Sequence, residues 1–94
     1  MNTIEEWHFL ISGRVQGVGF RYGVLRFVNN NLNTVTGYVR NCSDGRVEVL
    51  AQGDQTELQK LYEYCLHGPQ LARVDEISME KDKATTLLSD FVIR

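Results

Sequence analysis

Between Ser12 and Gly23 the chain reads SGRVQGVGFRYG, and this stretch restricts the fold more than any other. Before it, Trp7, Phe9 and Ile11 alternate with other residues, the period of a strand with a buried face. After it, Val24, Phe27 and Val28 recur at i, i+3 and i+4, and Leu25 and Leu32 lie one heptad apart, the stripe of an amphipathic helix. A strand, β1, ending near Arg14 must therefore turn directly into a helix, α1, over about Phe20–Asn31. Gly13, Gly17 and Gly19 supply the backbone freedom for that turn. Leu10, on the alternate face of β1, predicts a central strand covered on both sides.

The next segment, VTGYVRNCSDGRVEVLAQG, carries a hairpin signal. Asp44-Gly45 suits a type I′ turn, which needs positive φ at both central residues. It would join β2 (about Val35–Cys42) to β3 (about Arg46–Gln52), with Val47, Val49 and Ala51 alternating towards a core. A second helix, α2, follows Asp54, which with Glu57 three residues on resembles a capping box. Leu58, Leu61, Tyr62, Cys65 and Leu66 form its apolar stripe, and Gly68-Pro69 ends it. ARVDEISME (Ala72–Glu80) reads as β4 and DFVIR (Asp90–Arg94) as β5. The order β-α-β-β-α-β-β places two helices on one face of an antiparallel sheet, the ferredoxin-like α+β sandwich. With one proline, no repeat and no linker, residues 1–94 are expected to form one domain.

The glycine turn is also where chemistry is expected. Curled glycine-rich backbone aims successive N–H groups inward as an anion nest, and the free N–H groups of a helix start add to it. Arg21 falls in the first turn of α1, where a cation opposes the helix dipole by ~0.3–1 kcal/mol. A bound dianion reverses that sign and engages the guanidinium fork. Glycines that merely permit a tight turn, with Arg21 solvated, are the plainer reading. Three glycines plus an arginine at the helix start favour the anion. A Walker A loop is excluded because Phe20 and Arg21, with no lysine, follow Gly19; the Rossmann glycine spacing is absent too. The net charge of −2 gives no basic footprint for nucleic acid, so any anion must be recognised locally.

These blocks resemble a known family. GRVQGVGFR (Gly13–Arg21) is similar to the signature of the acylphosphatases, and TGYVRNCSDGRVEV (Thr36–Val49) to their second block. ARVDEI and the terminal FVIR match the family's tail in character. The resemblance implies that Val15, Gln16, Gly17, Val18, Gly19 and Phe20 form a phosphate cradle. It implies that Arg21 grips the phosphate oxygens and that Asn41 positions the attacking water. The implied activity is cleavage of the carboxyl–phosphate bond of a small acyl phosphate, with no metal and no cofactor. Tyr38 stands where the family often has tryptophan, and the 29–36 segment, NNNLNTVT, is about two residues longer than the family's usual approach to β2.

Two other readings compete. A non-catalytic, phosphate- or sulfate-binding regulatory module would keep the same cradle. An RNA-binding domain of this topology would need aromatic residues on β3, where the chain has RVEVLAQ. The N-terminus, MNTIEEW, lacks the basic and apolar regions of a secretory signal, and no apolar run reaches transmembrane length. The expectation is a cytosolic monomer with no nucleic-acid or membrane partner. Cys42 and Cys65 lack metal-ligand spacing, and a disulfide between them stays open. His8 is expected on the less apolar face of β1, and His67 near the C-terminus of α2, where its charge suits the dipole. Asp75, Glu76, Glu80 and Asp82, interleaved with Lys81 and Lys83, read as a solvated edge.

Overall fold

The alternation of Trp7, Phe9 and Ile11 becomes an interior strand of a five-stranded sheet. The computed structural model describes residues 4–94. It contains β1 (Glu5–Arg14), α1 (Phe20–Asn31), β2 (Thr36–Asn41), β3 (Val47–Gly53), α2 (Gln55–His67), β4 (Arg73–Lys83) and β5 (Phe91–Ile93). The strand order is β4-β1-β3-β2-β5. β1 pairs antiparallel with β3 and β4, and β2 antiparallel with β3. β5 adds in parallel beside β2, a pairing the strand pattern alone does not disclose.

Trp7, Phe9 and Ile11 of β1 join Val39 of β2, Val47, Val49 and Ala51 of β3, Val24 of α1, and Leu58, Leu61 and Cys65 of α2 in one core, all without exposed surface. Each large apolar side chain so buried contributes about 1.5–3 kcal/mol relative to exposure. A one-residue slip of β1 would turn its whole buried set outward, so the core determines the register Phe9↔Val49 and Ile11↔Val47.

The open face departs from expectation. Leu10 is only half-buried, because both helices pack on the other side of β1 and no layer among the described residues covers this one. Here His8 Nε2 meets Glu48 Oε2 at 2.6 Å, and Arg40 pairs with the other oxygen of the same carboxylate. Gln52, 2% exposed, lies at the end of β3. Its amide donates to Glu6 Oε1 (2.9 Å) and Thr86 O (2.7 Å), and its oxygen accepts from Leu88 N (2.8 Å). It thereby holds the connection that must pass from β4, at one sheet edge, to β5 at the other.

The β2–β3 turn is not type I′. Among the described residues only glycines have positive φ, so Asp44 does not. Gly45 has φ 95°, Gly45 N donates to Cys42 O at 3.2 Å, and Cys42 N donates to Arg46 O at 2.8 Å. That is the three-residue loop closed by a left-handed glycine. Asp44 instead accepts from Arg46 N (3.1 Å) and Arg46 Nε (2.8 Å).

The α2 cap is half of the expected box. Asp54 Oδ1 accepts from Glu57 N at 2.8 Å, but the Glu57 carboxylate reaches away to Asn33 N and Thr34 N (3.0 and 2.8 Å) and to Thr34 Oγ1 (2.7 Å). The 29–36 segment is thus tied down by α2, with Leu32 and Val35 buried. Leu66, expected in the α2 stripe, is 40% exposed, since it lies off the axis set by Leu58, Leu61 and Cys65.

Burial raises the Glu57 pKa most, yet the hydrogen bonds from Asn33 and Thr34 outweigh it and hold the carboxyl below its ordinary value. Glu48 behaves alike, with burial opposed by His8 and Arg40. A depressed folded-state pKa gives stability that is present above the unfolded value of about 4.3 and disappears as pH falls through the lower folded value. Urea midpoints should therefore drop below about pH 4.3. Glu57→Gln should be less stable than wild type by about 1 kcal/mol at pH 7 and converge with it in stronger acid. Parallel curves down to the lowest pH would contradict this.

Candidate active site

The segment after β1 is anchored by side chains and leaves its backbone at the surface. Val15 and Phe20 are 1% exposed and Val18 is 9% exposed. Their side chains enter the core, which leaves their N–H groups as what they can offer a ligand. Between them Gly17 (φ 74°) and Gly19 (φ 81°) take left-handed conformations, which would cost other residues about 1–2 kcal/mol each. Buried anchors alternating with left-handed glycines give a curled backbone that is held in place.

Gly19 is also the N-cap of α1. Among the described residues no side chain caps this helix, and its first turn contains no acidic residue. The first helical bond is Gly23 N to Gly19 O, 2.9 Å, so the N–H groups before Gly23 have no acceptor within the helix. Arg21, the second helical residue, is half-buried. Among the described residues it forms no ion pair. Partial positive charge from the helix end, free N–H groups and an unpaired guanidinium converge within a few residues.

Asn41 ends β2 on the helix-covered face, alternating with buried Gly37 and Val39. It stands opposite Val47, which faces Ile11 of β1 on its other side. The link to the cradle is Gln16. Its Nε2 donates to Cys42 O at 2.8 Å and to Arg46 O at 2.9 Å, and so joins the cradle to the turn that begins beside Asn41. Among the described residues, Asn41 Oδ1 is the one buried side-chain oxygen or nitrogen without a hydrogen-bond partner. Such an atom costs about 1–3 kcal/mol and calls for a cause.

The seven contiguous residues Val15–Arg21 and the distant Asn41 thus share one corner. An open groove of about 520 Å³ lies along α1 between Tyr22, Arg26, Phe27 and Tyr64. It shares Val18 and Gly19 with the cradle but includes neither Arg21 nor Asn41. The Gln16 side-chain contacts were not foreseen from sequence. The available signal was a long polar residue amid valine and glycine.

The cysteines are both free. Cys65 is fully buried, and burial pushes its thiol pKa well up; Cys42 is half-buried on the turn. A thiol reagent should therefore titrate one cysteine in the native protein and two in denaturant. Two fast thiols in the native state would contradict the burial of Cys65.

Comparison with known proteins identifies the family. A model of the acylphosphatase family matches residues 7–93. The chain belongs to the acylphosphatase family. It is 43% identical over 89 residues to an acylphosphatase of Marinobacter nauticus, covering 95% of each chain. It is 47% identical over 90 residues to an acylphosphatase of a Synechococcus strain, covering 96% of this chain and 74% of the relative. The crystal structure of acylphosphatase from Bacillus subtilis superposes with a TM-score of 0.89 at 34% identity, over 96% of this chain and 98% of that one. The ferredoxin-like architecture is therefore that of solved acylphosphatases. Family and fold together support an enzyme that hydrolyses acyl phosphates. No helix among the described residues is long and apolar enough to cross a membrane.

Proposed function

We propose that Arg21 and the backbone N–H groups of Val15–Phe20 hold the phosphoryl group of a small acyl phosphate while Asn41 positions the attacking water. The observation that carries this reading is the partnerless, buried Asn41 Oδ1 at the corner where α1 starts without a cap. With substrate bound and the side chain turned towards the cradle, the carboxamide oxygen accepts from the attacking water and its NH₂ donates to a phosphoryl oxygen.

The chemistry demands little more. Water oxygen forms a bond to phosphorus, and the bond from phosphorus to the acyl oxygen breaks. The electron pair leaves with the carboxylate, which needs no proton. The proton of the attacking water passes to a phosphoryl oxygen, giving carboxylate and dihydrogen phosphate. Phosphoryl transfer of this kind depends on positioning and charge stabilisation. Asn41 is no base at neutral pH, and none is required. The same reading takes the protein as a monomeric, one-domain enzyme that acts on a soluble metabolite in the cytosol.

The deciding test is hydrolysis of benzoyl phosphate in chelator-treated buffer. Turnover without added metal is expected. Phosphate binding with no turnover of benzoyl, acetyl or carbamoyl phosphate would move the reading to an anion-binding regulatory module of the same fold.

A further inference from the structure

We infer that the Gln16 side chain is a positioning residue: it sets the distance between the phosphate cradle and Asn41, and so acts on the rate of reaction rather than on phosphate binding. This rests on the roles proposed above for the cradle and Asn41. Gln16 belongs to the cradle by its backbone, but its carboxamide does something separate. It donates to both carbonyls of the pair that closes the β2–β3 turn, Cys42 O (2.8 Å) and Arg46 O (2.9 Å).

Those carbonyls already take part in the turn. Arg46 O accepts from Cys42 N at 2.8 Å, and Cys42 O accepts from Gly45 N at 3.2 Å. Two carbonyls facing one side chain require two N–H donors, so chemistry alone orients the amide with its NH₂ towards the turn. The contacts span 26 and 30 residues of sequence. Among the described side chains, Gln16 alone hydrogen-bonds from the cradle to the turn. Cys42 is covalently next to Asn41, so its carbonyl moves with Asn41's backbone. At the cradle end Gln16 lies between Val15, 1% exposed, and Gly17 in its left-handed conformation. Both ends of the tie are therefore fixed in place.

The other phosphate donors, by contrast, are the N–H groups of Val15 and Gly17–Phe20 and the Arg21 guanidinium, and among the described residues none of their side chains hydrogen-bonds to the turn. Loosening the tie should leave the phosphate held and let Asn41 drift relative to it. Misplacement of about 1 Å can cost about 10²-fold in rate.

The test uses Gln16→Met, which keeps the length and removes the donors. kcat for benzoyl phosphate should fall about 10- to 100-fold, while KM and the inhibition constant of inorganic phosphate stay within about threefold. Placed in Asn41→Ala, the same change should cost under about threefold, because residues that act as a unit are not additive. A loss that appears in KM and phosphate inhibition, or one that multiplies in full with Asn41→Ala, overturns the inference. If Asn41→Ala itself is fully active, the proposed role of Asn41 fails and this inference with it; if Asn41→Ala is impaired and the losses multiply, only the Gln16 role fails. Should Gln16→Met not fold, Gln16→Asn is used, being too short to reach both carbonyls. In the wild type, through-hydrogen-bond couplings from Gln16 Nε2 to the Cys42 and Arg46 carbonyls are expected, and their absence counts against the tie.

Discussion

Arg21→Lys should lower kcat/KM for benzoyl phosphate by about 10³-fold, although the charge is kept. Lysine is a point charge on a flexible stem, while arginine offers a planar fork that matches two phosphoryl oxygens. The position explains why so much depends on it. Arg21 is the second residue of α1, a helix with no N-terminal side-chain cap and no first-turn acid. There a cation opposes the dipole by ~0.3–1 kcal/mol. Without an anion, Arg21→Gln should therefore be at least as stable as the wild type. With inorganic phosphate at ten times its dissociation constant, the wild type gains about 1.4 kcal/mol, or about 6–11 °C in Tm for a domain of this size. Arg21→Gln should gain much less. Equal phosphate-induced shifts in the two proteins, or an Arg21→Lys rate within about twofold of wild type, would remove Arg21 from the site.

Much of this arrangement can be read from the sequence, and the parts that cannot have a common cause. The bounds of α1 are legible because the stripe of Val24 and Val28 has the helical period and glycines precede it. The helix-covered face of β1 is legible for the same reason. The exposed half of the sheet is not, because an apolar Leu10 says nothing about whether a second layer exists to cover it. The turn at Asp44-Gly45 is located correctly but its type is not, since the same dipeptide serves two-residue loops and three-residue loops closed by Gly45. Glu57 has the spacing of a capping box, but local spacing cannot reveal that Asn33 and Thr34, more than twenty residues away in sequence, offer better donors. The side-chain contacts of Gln52 and Gln16 are missed on the same account. Each is a polar side chain whose partners lie on another element, and periodicity carries no information about such pairs.

Asn41→Ala is the second large effect expected, and its signature is a loss of rate without a comparable loss of stability. Removing a group that positions a reactant costs about 10²–10³ in kcat. KM should change little, because the cradle and Arg21 hold the phosphate. Stability separates this role from a structural one. A buried asparagine that holds its neighbours together would, on truncation, leave their polar groups unpaired, at about 1–3 kcal/mol. Here the unpaired atom is Asn41 Oδ1 itself, and truncation removes it. The unfolding free energy of Asn41→Ala from urea titration should accordingly stay within about 1 kcal/mol of wild type, because loss of the unpaired oxygen offsets part of any packing loss. Asn41→Asp keeps the shape but places a negative charge beside the bound phosphate, so it should raise KM as well as lower kcat. A variant Asn41→Ala that is strongly destabilised yet retains its turnover would mean that Asn41 supports the hairpin and that the water is held by something else. A variant that is stable and slow, with phosphate inhibition intact, would tie the partnerless oxygen to the chemistry.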